Sequence, residues 1–353
     1  MTTDKPSQAF NLPYNQSEHY WLAVFYPGEN TPLRDALHAY GLKQTASGDD
    51  VCLLRLTYPW EDTWKVVHDI LVQHDAVRQT QVALIPGELE PGMEELGFKR
   101  KQPEMLDTIA SSLWLGDALI DDRIVCYMQP VLDKRGKVFG YEAFARVETE
   151  KGVIAGGAII EASKGLSAEY ILDRHLHIKA ITSFISSDLE GFLFINFVPG
   201  FIHRPEKYLE GLTDAAKFHG MPAKQLVLDF TQSENPQDLG QMKSIFDYCR
   251  SKGYSLSLDD ISSVGVAKRI FDSIRPDFVK IDRGVVRDIA SVTQMRNISD
   301  IVQLAHAAGA TVIAEGVETE SVHQELLKVG VDLFQGYLFS PPVAVSALKK
   351  AVS

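Results

Sequence analysis

A chain of 353 residues is longer than one hydrophobic core usually organises, so it reads as two units, one of them large. With 45% hydrophobic and 23% charged residues it has the composition of an ordinary globular protein, neither disordered nor built of membrane spans. A formal net charge of -12 argues against gripping duplex nucleic acid by its phosphates, although carboxylates that hold divalent cations can still recruit a small phosphodiester.

The opening MTTDKPSQAFNLPYNQ is polar and lacks the apolar core of a secretory signal, and no later run has the length of a membrane span, which makes the cytoplasm the expected compartment. Cys52, Cys126 and Cys249 are too few and too scattered for a disulfide framework and are expected to be buried thiols. From Tyr20 the apolar runs YWLAVFYP, VCLLRLTYP and QVALIP alternate with the helical stretches LRDALHAYGL and TWKVVHDILVQH, a small βαβαβ unit. Its aromatics Tyr20, Trp21, Phe25, Trp60 and Trp64 fall at core spacing, and His68 and His74 do not share a helix face, which excludes a metal pair there. The Pro-, Gly- and charge-rich segment PGELEPGMEELGFKRKQPE reads as a surface connection, dividing a domain at 1–105 from one at 106–353.

A helical lead-in, LDTIASSLWLGDALIDD, precedes CYMQPVLDKRGKVFGYEAFARV, two strands joined by so short a turn that they must be antiparallel. The strands FLFINFV, LVLDF, YSLSLDDI, FVKID, TVIAEGV and DLFQGYLF then alternate with amphipathic helices, as parallel strands with crossover helices do. Together they predict a TIM-like (β/α)8 barrel whose first strand runs backwards. No Gly-rich dinucleotide or P-loop motif opens any helix.

Polar residues stand at or near the ends of these strands: Glu142, Asn196, Asp229, Asp259, Asp260, Lys280, Glu315 and Gln335. Barrel strands converge on one mouth, where barrel active sites are built. Alternation along YEAFAR puts Arg146 on the same strand face as Glu142, bringing a phosphate-binding guanidinium to the same cavity. Five carboxylates and an amide at one mouth repel one another unless cations lie among them, and an all-oxygen set selects Mg2+ or Mn2+ over zinc. Two such ions, roughly 3.5–4 Å apart, would polarise a phosphodiester and generate hydroxide from water. Other local roles stay open: Asp229 as a helix cap within LDFTQSE, Lys280 as ion-pair partner of Asp282, Glu318 as cap of the helix near Thr319, and Gln129 as a strand-end hydrogen-bonder.

The segments YMQP, YEAFAR, INFVPG, LVLDFTQSE, LSLDD, FVKID, VIAEGVE and QGYLFSPP, in this order and spacing, resemble the EAL domain of cyclic di-GMP phosphodiesterases. The resemblance implies a barrel with one antiparallel strand and hydrolysis of cyclic di-GMP to linear pGpG. It implies that Glu142, Asn196, Asp229 and Asp259 hold one metal ion and that Asp259, Asp260 and Glu315 hold or flank a second. Lys280 would position or activate the attacking water, making Lys280, Glu315 and Glu142 the catalytic group. Arg146 and Gln129 would contact the phosphate and guanine regions of the ligand, with Glu318 and Gln335 supporting the metal and ligand shell. A homodimer and a protein partner met through the N-terminal domain are further expectations.

This sequence departs from the family pattern at four places. The signature Glu-Ala-Leu reads Glu142-Ala143-Phe144, Asp229 replaces a glutamate, Gln232 replaces a loop-supporting glutamate, and the loop at the paired aspartates, Asp-Asp-Phe-Gly-Thr-Gly in the family, reads DDISSVG. The last change restricts the backbone beside the second metal and supports the alternative of a receptor that binds the dinucleotide without turning it over.

Overall fold

The structure is a computed structural model that describes residues 19–26, 30–44, 51–57, 60–86, 101–197, 205–231, 238–271 and 274–351. Gln232 and most of the expected surface connection, residues 87–100, lie outside the described residues. The chain forms two compact units, one comprising Met1–Ile124 with Val147–Ile171 and the other Val125–Arg146 with Leu172–Ser353.

The first unit contains a four-stranded sheet of β1 (His19–Phe25), β2 (Lys43–Gln44), β3 (Val51–Thr57) and β4 (Gln81–Pro86) in the order β2-β3-β1-β4. Central β1 pairs antiparallel with both β3 and β4. Two-residue β2 is too short and too polar to be legible as a strand, and it extends the expected βαβαβ to a ferredoxin-like βαββαβ. Helix Thr31–Tyr40 starts where the Asn30 side chain accepts from Leu33 N–H and stops at Gly41, whose φ of 113° closes the turn. Tyr20, Phe25, Trp60 and Trp64 are buried and Trp21 packs against Ala23, Phe25, Val51 and Leu53, so the aromatics form core. The lead-in is two helices, Pro103–Ala110 and Leu113–Ile120, broken where the Ser112 hydroxyl donates to Thr108 C=O at 2.6 Å and competes with the helical pattern.

In the second unit β5 (Ile124–Asp133) and β6 (Val138–Thr149) meet through the turn at Asp133, whose N–H donates to Lys137 C=O at 2.8 Å. After β7 (Gly152–Ala155), which belongs to the first unit, come β8 (Phe192–Phe197), β9 (Leu226–Thr231), β10 (Ser255–Ile261), β11 (Phe278–Ile281), β12 (Thr311–Ala314), β13 (Leu333–Phe334) and β14 (Val343–Ala344) of the second. Strands β6, β8, β9, β10, β11, β12 and β13 pair in parallel, β13 pairs antiparallel with β5, and a β5–β6 pairing closes the ring. This is the eight-stranded barrel with one reversed strand that the hairpin and the strand–helix alternation predict. Outward residues such as Leu193, Leu228, Leu258, Val279 and Val312 are fully buried in one extensive core cluster.

A second cluster joins Val131, Phe194, Val227, Phe278, Ile313 and Leu333, with Phe139 and Phe192 packed against it. Phe139 stacks on Phe192 at 4.7 Å between ring centroids, and Phe194 meets Phe278 edge-on at 5.3 Å. These inward residues form an apolar layer inside the barrel, each large side chain contributing about 1.5–3 kcal/mol by burial. No helix among the described residues is long and apolar enough to cross a membrane.

Candidate active site

Side chains alternate along a strand, so the inward residue two positions beyond each apolar plug residue forms the next layer. Following Phe194, Val227, Phe278, Ile313 and Leu333 come Asn196, Asp229, Lys280, Glu315 and Gln335. On reversed β5 the corresponding step runs backwards, from Val131 to Gln129. Ladder register places Glu142 opposite Phe194 and Asn196 opposite Asp229. The polar layer is therefore the consequence of a strand period of two carried one step past the plug.

Lys280 stands at its centre and is fully buried. Its Nζ lies 2.9 Å from Glu142 Oε2, 2.8 Å from Asp229 Oδ2, 2.5 Å from Glu315 Oε1 and 3.6 Å from Asp259 Oδ1. Glu142 also accepts from Asn196 Nδ2 at 3.2 Å and from Gln335 Nε2 at 2.8 Å. Gln335 Nε2 further approaches Gln129 Oε1 at 3.1 Å, and Gln129 Nε2 donates to Ser340 C=O at 2.9 Å. Burial pulls the Lys280 ammonium down, but Asp229, Glu142, Glu315 and Asp259 outweigh it and hold the group well above its ordinary pKa.

Asp259 and Asp260 follow each other on β10, yet both face Glu315: one carboxylate oxygen from each of the three lies within 4.8 Å of the others. A register shift between Leu258 and Ile261 against β11 makes this possible, with Asp260 at φ 56° in the left-handed region. Asp259 Oδ1 accepts from Asp260 N–H at 2.9 Å and fixes the bend. Burial and the neighbouring Asp259 charge both push the Asp260 carboxyl up.

Five carboxylates against one ammonium leave a formal charge of 5 negative and 1 positive, -4, which two divalent cations would neutralise. Asp229 carries the clearest need. It is fully buried, and among the described residues the Lys280 ammonium, 2.8 Å from Oδ2, is the one group that offsets its charge, while Oδ1 has no hydrogen-bond donor. Burial pushes its carboxyl up to about 7 against the opposing pull of Lys280, and burial likewise holds Glu315 well above the usual range. An all-oxygen set that includes a buried carboxylate with an unpartnered oxygen fits a hard divalent cation, with Glu142, Asn196, Asp229 and Asp259 around one position and Asp259, Asp260 and Glu315 around the other.

The competing local roles resolve in particular ways. Asp282 does not pair with Lys280; it caps helix Arg283–Arg287, accepting from Gly284 N–H at 2.9 Å. Asp229 is no helix cap, because its side chain faces Lys280 inside the barrel. Thr319, not Glu318, caps helix Glu320–Lys328, and Glu318 is exposed and outside the hydrogen-bonded cluster. Arg146 also stands apart from the cluster. Its Nη1 donates to Ala145 C=O at 2.7 Å, and its guanidinium lies 5.7 Å from the ring centroids of both Tyr127 and Phe144.

Sequence reasoning passed over His177. This buried imidazole places Nε2 3.0 Å from Asn196 C=O and stacks on Phe197 at 5.9 Å, supporting the strand that carries Asn196. Only a polar residue on the buried stripe of helix Glu169–Ser186 signals it in the sequence.

Residues 113–342 match the EAL domain family. The chain is 27% identical over 258 residues to a protein named probable cyclic di-GMP phosphodiesterase PdeI of Escherichia coli K12, covering 70% of this chain and 33% of that protein. It is 34% identical over 121 residues to the cyclic di-GMP phosphodiesterase PdeL of the same organism, covering 34% of this chain and 33% of that one. It thus spans about a third of the length of these curated relatives. A standalone EAL protein from Vibrio cholerae O395, solved in a c-di-GMP-bound form, superposes with a TM-score of 0.57 at 26% identity over 63% of this chain and 93% of that one.

Proposed function

The chain belongs to the EAL domain family, and from that premise we propose that its barrel hydrolyses cyclic di-GMP to linear pGpG with the help of Mg2+ or Mn2+. The observation that carries this reading is the convergence of Glu142, Asp229, Asp259, Asp260 and Glu315 around buried Lys280 at the mouth of the barrel. Bound cations supply charge that neutralises the phosphodiester and water acidic enough to attack near neutral pH.

The chain's own residues supply the rest. Lys280, held protonated by its carboxylate neighbours, acts as a donor that orients an attacking water and does not take up its proton. Glu315, whose side chain keeps 19% exposure beside Lys280, would accept that proton in its ionised form, which burial alone disfavours and neighbouring positive charge favours. Glu142 is fixed by three donors, Lys280, Asn196 and Gln335, so it offers a preset carboxylate rather than a mobile one. Arg146, braced by Tyr127 and Phe144, grips a phosphate oxygen, and Gln129 and Gln335 border the guanine region. The N-terminal unit has the regulatory part, through a protein partner, and the protein acts as a cytoplasmic homodimer.

A receptor reading draws on Ser262 and Val264 standing where the family has glycine, and on Asp260 in the left-handed region, which favours glycine. Incubating the full chain with cyclic di-GMP and either Mg2+ or Mn2+, and following pGpG by chromatography, separates the two. Turnover that Asp259→Ala abolishes supports the enzyme. Binding of cyclic di-GMP without turnover establishes the receptor instead, and the absence of both overturns the ligand assignment.

A further inference from the structure

The turn after the paired aspartates has no glycine between Asp260 and Val264, and it is held from outside. Asn297, on helix Val292–Ala307, accepts from Val264 N–H at 3.2 Å through Oδ1 and donates from Nδ2 to Ser262 C=O at 2.9 Å. One side-chain amide thereby spans Ser263 as a neighbouring peptide group would, satisfying a main-chain donor and a main-chain acceptor together. Val264 opens helix Val264–Phe271, where N–H groups have no partner within the helix, and the local alternative is weak: Ser263 Oγ reaches Val266 N–H at only 3.4 Å. The amide comes from a rigid element, because Ile298 and Ile301 of the same helix are fully buried in the barrel core.

On the other side of the turn, Ile261 is fully buried and its C=O accepts from Asp282 N–H at 3.2 Å. Asp260, between these anchors, holds a left-handed backbone at φ 56°, a conformation aspartate adopts at a modest cost that local contacts offset. These two anchors flank the bend that, with the Asp260 N–H to Asp259 Oδ1 bond within it, aims two successive carboxylates at Glu315.

We propose that Asn297 is a positioning residue for the second cation: by clamping Ser262 and Val264 it keeps the carboxylates of Asp259 and Asp260 converged on Glu315. The inference rests on the metal-dependent reading given above, and it assigns to a side chain of a distant helix the order that this loop's own sequence does not supply.

Calorimetric titration of the full chain with Mn2+, without substrate, tests it in wild type, Asn297→Ala, Asn297→Asp and the exposed control Gln303→Ala. Asn297→Asp keeps the shape and the acceptor but loses the donor to Ser262, so it carries the test should the alanine variant fail to fold. Expected is a two-site wild type and control, with the weaker site lowered about 10–100-fold in Asn297→Ala, less in Asn297→Asp, and the stronger site unchanged. With cyclic di-GMP present, kcat of the alanine variant at low Mn2+ falls and recovers as Mn2+ is raised, whereas KM for the dinucleotide stays within twofold. A two-site wild type with unchanged affinities in both Asn297 variants overturns this inference alone. A wild type that binds no cation overturns the metal reading and this inference with it.

Discussion

Replacing Lys280 by methionine removes an ammonium that lies within 3 Å of three carboxylates and leaves its volume filled by an apolar side chain. The formal charge of the cluster then moves from -4 to -5, with Glu142, Asp229 and Asp259 buried around the vacated ammonium position. Removing one partner of a buried ionic group costs about 3–5 kcal/mol, because the remaining charges stay desolvated. For a domain of this size each kcal/mol lowers the unfolding midpoint by roughly 2–4 °C, so a fall of about 6–20 °C is expected. The loss depends on pH with a definite sign. Asp229, pushed up to about 7, binds its proton more tightly when folded than when unfolded, so its ionisation destabilises the fold as pH rises from the usual carboxyl range through 7. The methionine variant is therefore most destabilised at pH 8 in chelator, less so at pH 5.5, and partly restored at pH 8 by millimolar Mg2+. Scanning calorimetry of wild type and variant at both pH values, with chelator and with Mg2+, measures all three effects. Equal midpoints for the two proteins in chelator at pH 8 would refute the view that Lys280 balances the carboxylate cluster.

Cation binding should release protons below pH 7, since the Asp229 carboxyl must lose its proton to become a ligand. Titrations in buffers of different ionisation enthalpy at pH 6 will then differ in apparent heat, and affinity will fall as pH is lowered through 7. Exchanging Phe144 for the family's leucine removes the ring 5.7 Å from the Arg146 guanidinium and is expected to cost about 0.5–1 kcal/mol, or a two- to fivefold rise in KM at unchanged kcat. Asp332 accepts from Val312 N–H, His306 and Lys134, and although burial opposes it these bonds hold its carboxyl below the ordinary value. Its stabilisation is full above the usual carboxyl pKa and disappears as pH falls below it. Asp332→Asn should lower stability by about 1–3 kcal/mol at pH 7 and progressively less on acidification, as urea unfolding will show.

The polar ring was legible because each of its members sits at a strand end, and a strand has only two faces. Once the apolar run FLFINF or FVKI is read as a barrel strand, the position of Asn196 or Lys280 follows from alternation alone. Arg146 shows where this rule stops: alternation puts it on the face of Glu142, but it cannot say that Tyr127 and Phe144 would take hold of the guanidinium. The lead-in helix was continuous in pattern and broken in structure, because a serine hydroxyl back-bonding to Thr108 leaves no trace in hydrophobic periodicity.

Local sequence thus determined the barrel, the reversed first strand and the list of residues at its mouth, since all three depend on periodicity and on the length of the connections. Tertiary structure decided which of those residues meet. Lys280 has Asp282 two positions away and yet joins Glu142, 138 residues distant, because Asp282 is drawn off to cap the helix that follows. The turn that bears Asp259 and Asp260 takes its order from Asn297, 33 residues beyond Val264. Such pairings arise only when barrel closure brings remote strands and helices together, and the desolvation that comes with closure converts a row of ordinary carboxylates into a site that demands protons or cations.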